Sequence, residues 1–148
     1  MKKGFTLVEL LIVLAVIAAL MAVATPMALS AVKTAKASQV AQNLNALKSA
    51  VEQYVYSEKD LPTSAASLVN YMSKIPDGYV ITPATENLNS SRDKGIFVKG
   101  EATVVVAYDS SDIPVGDINK QYSEVTQVTL PGSTTGCPGI YVKVRQWW

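Results

Sequence analysis

The sequence predicts an α+β fold: one long amino-terminal helix, packed against a small antiparallel β-sheet domain and protruding beyond it. Three observations predict it. From Phe5 to Glu58 the only turn signal is Pro26, and the apolar residues pass from an unbroken run into a single helical stripe. After Asp60-Leu61-Pro62, short segments rich in Val, Ile and Tyr alternate with Gly, Pro, Asn and Asp, the pattern of strands and turns. The chain has 148 residues, which leaves about 90 after the helix, enough for one core and no more.

The helix divides into an apolar half, residues 5–32, and an amphipathic half, residues 33–58. In the second half Val40, Leu44, Leu47, Val51 and Tyr54 recur at helical spacing and draw one apolar stripe, while Lys36, Gln39, Asn43, Lys48 and Glu52 take the opposite face. A helix over about 54 residues is roughly 80 Å long at a rise of about 1.5 Å per residue, more than a small domain can cover. Pro26 lacks a donor and crowds the preceding turn, so a kink or a locally unwound segment is expected just before it.

Residues 59–148 form the head. Thr63 or Ser64 is placed to cap a short helix in which Leu68, Tyr71, Met72 and Ile75 share a face. Pro76-Asp77-Gly78 is a turn signal, and Tyr79–Thr82 reads as a brief strand. Ala84–Lys94 is polar without a period and reads as a surface loop. Ile96–Lys99 and Ala102–Tyr108, joined across Gly100, read as a Val-rich hairpin, and Val125–Leu130 and Ile140–Gln146 as two further strands.

Composition removes several classes of function. With 13 basic and 12 acidic residues the formal charge is +1, so no basic field argues for nucleic acid. There is no His, which excludes His-based acid/base catalysis and most transition-metal sites. No Gly-rich phosphate loop is present, and no paired acids stand at a catalytic spacing, so neither a cofactor nor an enzymatic activity is expected. Cys137 reads as a buried thiol, with an intermolecular bond or a lipid or redox role as alternatives. Asp109, Asp112 and Asp117 read as a solvated turn, not a calcium register, and no metal site is expected. Asn89-Ser90-Ser91 matches a glycosylation sequon, a pattern shared by ordinary turns. Trp147 and Trp148 fit either packing on the sheet edge or a subunit contact.

The most informative residue is Glu9, an acid set into an apolar run that begins at Phe5 and stays uncharged from Leu10 to Val32. At a bilayer centre it would cost about 2.5 to 3.5 kcal/mol, and ionisable groups in such segments are functional by default. Cutting after Gly4 would leave Phe5 with a protonated α-amine, a cation at the same end of the helix. Pairing of that amine with Glu9 across two subunits would fix axial register, because a misplaced subunit would bury Glu9 alone.

Lys2-Lys3-Gly4-Phe5-Thr6-Leu7-Val8-Glu9 resembles the amino-terminal signature of type IV pilins and pseudopilins. The resemblance implies a pilin-like α+β fold and a leader, residues 1–4, removed by a prepilin peptidase. It further implies N-methylation of Phe5, and pairing of Glu9 with the Phe5 amine of a neighbouring subunit, assisted by a hydrogen bond from Thr6. The stretch before Pro26, about Ala18 to Pro26, can lose helical structure in assembled pili of the family. The implied partners are further copies of the chain or minor pilins, the cytoplasmic membrane before assembly, and an assembly ATPase acting through an inner-membrane platform protein. The implied destination is an extracellular filament or a periplasmic pseudopilus. This chain departs from the disulfide-closed carboxy-terminal loop of many pilins, since it has one Cys.

A secretory signal peptide is the ordinary alternative, with Lys2 and Lys3 as basic region and Ala22-Val23-Ala24 as cleavage pattern. The uncharged run of 23 residues is nearer a membrane span of about 20 than an h-region of about 7 to 15, and Glu9 has no use in an h-region. A pseudopilin of a type II secretion or DNA-uptake machine shares every residue of the motif, and a membrane-anchored binding module that never polymerises is a further reading.

Overall fold

The computed structural model describes residues 5–84, 101–110, 112–130 and 136–147. Helix α1 spans Leu7–Glu58 as one assigned element and includes Pro26. A four-residue 3-10 turn at Ala65–Leu68 follows, then strands β1 (Tyr79–Ala84) and β2 (Glu101–Tyr108), the short helix α2 (Val115–Asn119), β3 (Thr126–Val128) and β4 (Cys137–Arg145). The four strands form one antiparallel sheet in the order β1-β2-β4-β3. This is the α+β class expected from the sequence. By their contacts, the residues up to Ala35 and those from Lys36 onward form two separate units.

α1 ends where Lys59 adopts a left-handed conformation, φ 57°, while its N–H still reaches the Val55 carbonyl at 3.0 Å. A Gly usually takes that position, and its absence is why Asp60-Leu61-Pro62 is the clearer stop in the sequence. The side-chain oxygen of Asp60 then accepts from the N–H of Leu61 at 2.8 Å and turns the chain. The helix expected after Ser64 is shorter than its apolar spacing suggests. Ser64 precedes it in extended conformation but makes no side-chain cap, and only Leu68 of its face is buried. Tyr71 and Met72 pack against the core from the loop that follows.

The core lies between the amphipathic half of α1 and one face of the sheet. Ala37, Val40, Ala41, Leu44, Leu47, Ala50, Val51 and Val55 are buried from the helix. Ile81, Val104, Val106, Ile140, Val142 and Val144 meet them from the sheet. Each such Val, Leu or Ile contributes about 1.5 to 3 kcal/mol on leaving water. The stripe read from the sequence is the buried one, but it is wider: Val55 and the alanines complete it, and Tyr54 is only half-buried. Its flanks also differ from expectation, since Lys48 and Asn43 are only partly exposed and reach partners in the head. Lys48 Nζ reaches Glu124 at 2.6 Å, and Asn43 Nδ2 donates to Tyr79 Oη at 3.2 Å.

β2 is buried on both faces from Val104 to Ala107, as befits a strand with a neighbour on each side. Its described partners are β1 on one edge and β4 on the other. Ile96–Lys99, most of the Ala84–Lys94 loop and Asn89-Ser90-Ser91 lie outside the described residues. A second, smaller apolar cluster of Val105, Ala107, Val128, Leu130 and Cys137 covers part of the sheet's other face. Gly139 sits where β4 passes β2 most closely: a Cβ there would stand 2.8 Å from the Val106 carbonyl oxygen.

Candidate assembly site at the amino terminus

Helix α1 opens with Thr6 just outside it and Glu9 in its first turn, the Thr-x-x-Glu spacing of a capping box. The geometry is reciprocal. Thr6 donates to Glu9 Oε2 from both its backbone N–H and its hydroxyl, each at 2.8 Å, and the Glu9 N–H donates back to Thr6 Oγ1 at 3.3 Å. The carboxylate also lies at the positive end of the helix dipole, which favours its charge. Both Thr6 bonds fall on one oxygen of Glu9, and a carboxylate offers two oxygens with about four acceptor sites in all. Thr6 thus fixes Glu9 within its own chain, a role the sequence reading did not assign although Thr-x-x-Glu before an apolar run is its usual signal.

Phe5 precedes the helix and is 87% exposed. Every side chain from Phe5 to Ala35 is exposed, so the single chain provides no cover for the apolar half of α1. Among the described residues, one helix is long and apolar enough to cross a membrane. Gly4 lies outside the described residues. Pro26 donates no hydrogen bond to the preceding turn, and the neighbouring Thr25 hydroxyl donates to the Met21 carbonyl at 2.8 Å.

The other residues singled out from the sequence lie in the head. Cys137 is buried in the outer cluster, with its sulfur 4.0 Å from Asp109 Oδ1. Burial, and secondarily the Asp109 charge, push its thiol pKa up, away from reactive thiolate. The three acids are separated by different partners: Asp109 faces Cys137, Asp112 takes Ser110 Oγ at 2.7 Å and Lys36 at 3.8 Å, and Asp117 takes Lys120 at 2.8 Å. Asp117 stands on α2, where the sequence predicts a solvated turn. Trp147 is 63% exposed, with Lys59 Nζ 5.7 Å from its ring centroid. Trp148 lies outside the described residues.

Residues 1–25 match the family model described as the prokaryotic N-terminal methylation motif. This is the class III signal found in type IV pilins and pseudopilins, and the apolar helix beside it fits membrane anchoring of a pilin-like or pseudopilin-like prepilin. No curated protein matches the chain, and no solved structure does.

Proposed function

We propose that the chain is the structural subunit of a type IV pilus filament. It is inserted in the cytoplasmic membrane as a precursor, cut after Gly4 by a prepilin peptidase, methylated on the Phe5 amine, and packed into a helical polymer that leaves the cell. The observation that supports the reading is the match over residues 1–25 joined to the apolar half of α1, whose side chains from Phe5 to Val32 are all exposed.

In this reading the apolar half of α1 exchanges lipid for neighbouring helices. Lipid and helix are similarly apolar, so the exchange itself yields little, and selection of the right neighbour falls to close packing of Ala15, Ala18, Ala19 and Ala22 and to the Glu9 charge. Glu9 accepts from Thr6 on one oxygen and from the Phe5 amine of the adjacent subunit on the other. A subunit docked out of register would bury both charges without partners, at a cost of several kcal/mol. Loosening of the helix before Pro26 would let the stem adapt to its neighbours. Extraction from the membrane requires external work, assigned to a cytoplasmic assembly ATPase acting through an inner-membrane platform protein.

Electron microscopy of material sheared from cells, with mass spectrometry of the filament subunit, tests the proposal. Filaments built of this chain are expected. A chain confined to the membrane fraction, with no fibres at normal expression, overturns it in favour of an anchored binding module.

A further inference from the structure

The charges of the apolar half are spaced in a way the proposed function does not use. Between Glu9 and Lys33 there is no charged side chain, and both residues are exposed on the same helix. They are 33 − 9 = 24 residues apart, about 36 Å at a rise of about 1.5 Å. The hydrocarbon core of a bilayer is about 30 Å thick, and about 40 to 45 Å with its headgroups. The two charges therefore fit the two headgroup layers at once, and Glu9 need not enter the hydrocarbon. The whole apolar half, residues 5–32, is about 42 Å long, more than the core alone takes, so its ends reach the headgroup layers.

The two ends are chemically different. Glu9 has its hydrogen bonds from Thr6 and needs no lipid partner. Lys33 stands next to the polar side chains at the end of the apolar run: Ser30, three residues before it, shares its helix face, and Thr34 follows it directly. Thr34 Oγ1 donates to the Ser30 carbonyl at 3.0 Å, which holds this polar collar against the helix. A long ammonium side chain there can extend along the helix to the headgroup layer.

We propose that Lys33 is a lipid-binding residue: in the membrane-inserted chain its ammonium is held by the phosphate of a phospholipid, in the leaflet opposite Glu9. The pair sets the depth of the helix, with Leu10–Val32 as the hydrocarbon segment. It rests on the reading that residues 5–32 span the membrane before assembly. Withdrawal into a filament then breaks the Lys33 contact and carries Glu9 out of one headgroup layer, so both polar ends resist removal.

The full chain is reconstituted in vesicles of phosphatidylethanolamine and phosphatidylglycerol, with isotopically labelled lysine ammonium groups. Their dephasing by lipid phosphorus is read by solid-state NMR, and oriented circular dichroism of the same samples reads the direction of the helix. The chain's other lysines carry the same label, so the deciding quantity is the difference made by Lys33→Arg, which leaves no labelled ammonium at that position and keeps the charge. Loss of one lysine's share of the dephasing is expected. A helix that spans with no loss in Lys33→Arg overturns the lipid contact alone. A helix lying flat on the vesicle overturns the contact and the spanning reading together.

Discussion

At the scale of single residues, Glu9 has two separable roles: its oxygen closes a capping box with Thr6, and its charge awaits a cation in the proposed filament. Glutamine at the same position keeps the box, since Gln also serves there, and loses the charge. Glu9→Gln is therefore expected to leave the amount of chain in the membrane unchanged and to abolish filaments; normal filaments from Glu9→Gln would mean that the cap, not the charge, is what assembly requires. Thr6→Ala removes the side-chain half of the box at a cost of about 1 kcal/mol to the helix end, and Thr6→Ser should restore it, read as helicity of the first turns by hydrogen exchange. In the head, the Lys48–Glu124 contact is the residue pair that pH addresses. Lys48 lowers the Glu124 pKa, so that contribution is complete above the ordinary carboxylate range and fades as pH falls through it. Glu124 raises the Lys48 pKa, so the lysine's contribution is complete below the ordinary lysine range and fades as pH rises through it. Thermal unfolding of the full chain in detergent should show Glu124→Gln less stable than wild type at neutral pH, with the gap closing below about pH 4, and the exposure of the pair keeps the gap small.

At the scale of elements, the seam between α1 and the sheet is the main source of the head's stability. Leu44 is fully buried there, and Leu44→Ala should cost about 2 to 5 kcal/mol in denaturant unfolding. Gly139→Ala tests a different feature of the same sheet. Its added methyl would press on the Val106 carbonyl and on Ala107, backbone atoms of the central strand, so a loss of about 1 to 3 kcal/mol is expected, with no change in membrane level of the chain before unfolding. The stripe along α1 was legible because helix periodicity is local: Val40, Leu44, Leu47 and Val51 each report on a neighbour three or four residues away. Strand pairing is not local. The valines of Ala102–Tyr108 announce a buried strand, but nothing in them says that Tyr79–Ala84 and Cys137–Arg145 are its partners. The start of β4 was missed for a related reason, since Cys137-Pro138-Gly139 reads as loop by composition and is held in the sheet by β3. The amino-terminal motif was legible in full as a linear pattern, whereas the Thr6–Glu9 box went unread because Glu9 had already been given a partner on another subunit.

At the scale of the whole molecule, maturation is the decisive measurement. The intact mass of the chain from cells is expected to lack Met1 to Gly4 and to carry one added methyl on Phe5. A mature chain starting near Thr25 or Val32 would replace the proposed function with a secreted protein. Gly4→Leu should leave a full-length membrane protein, because the peptidase must approach the backbone closely at that position. The sheet order β1-β2-β4-β3 adds a constraint on the order of events as the chain is made. Cys137–Arg145 is the last of the four described strands to be synthesised, yet it lies between β2 and β3 and joins them. Until those residues emerge, β2 has one edge unfilled, β3 has no sheet to join, and the helix face from Ala37 to Val55 lacks Ile140, Val142 and Val144. In the proposed function the helix can thus enter the membrane early in synthesis, but the head must wait for residues 137–145, and a chain truncated before Cys137 would keep its apolar helix while its head could not close.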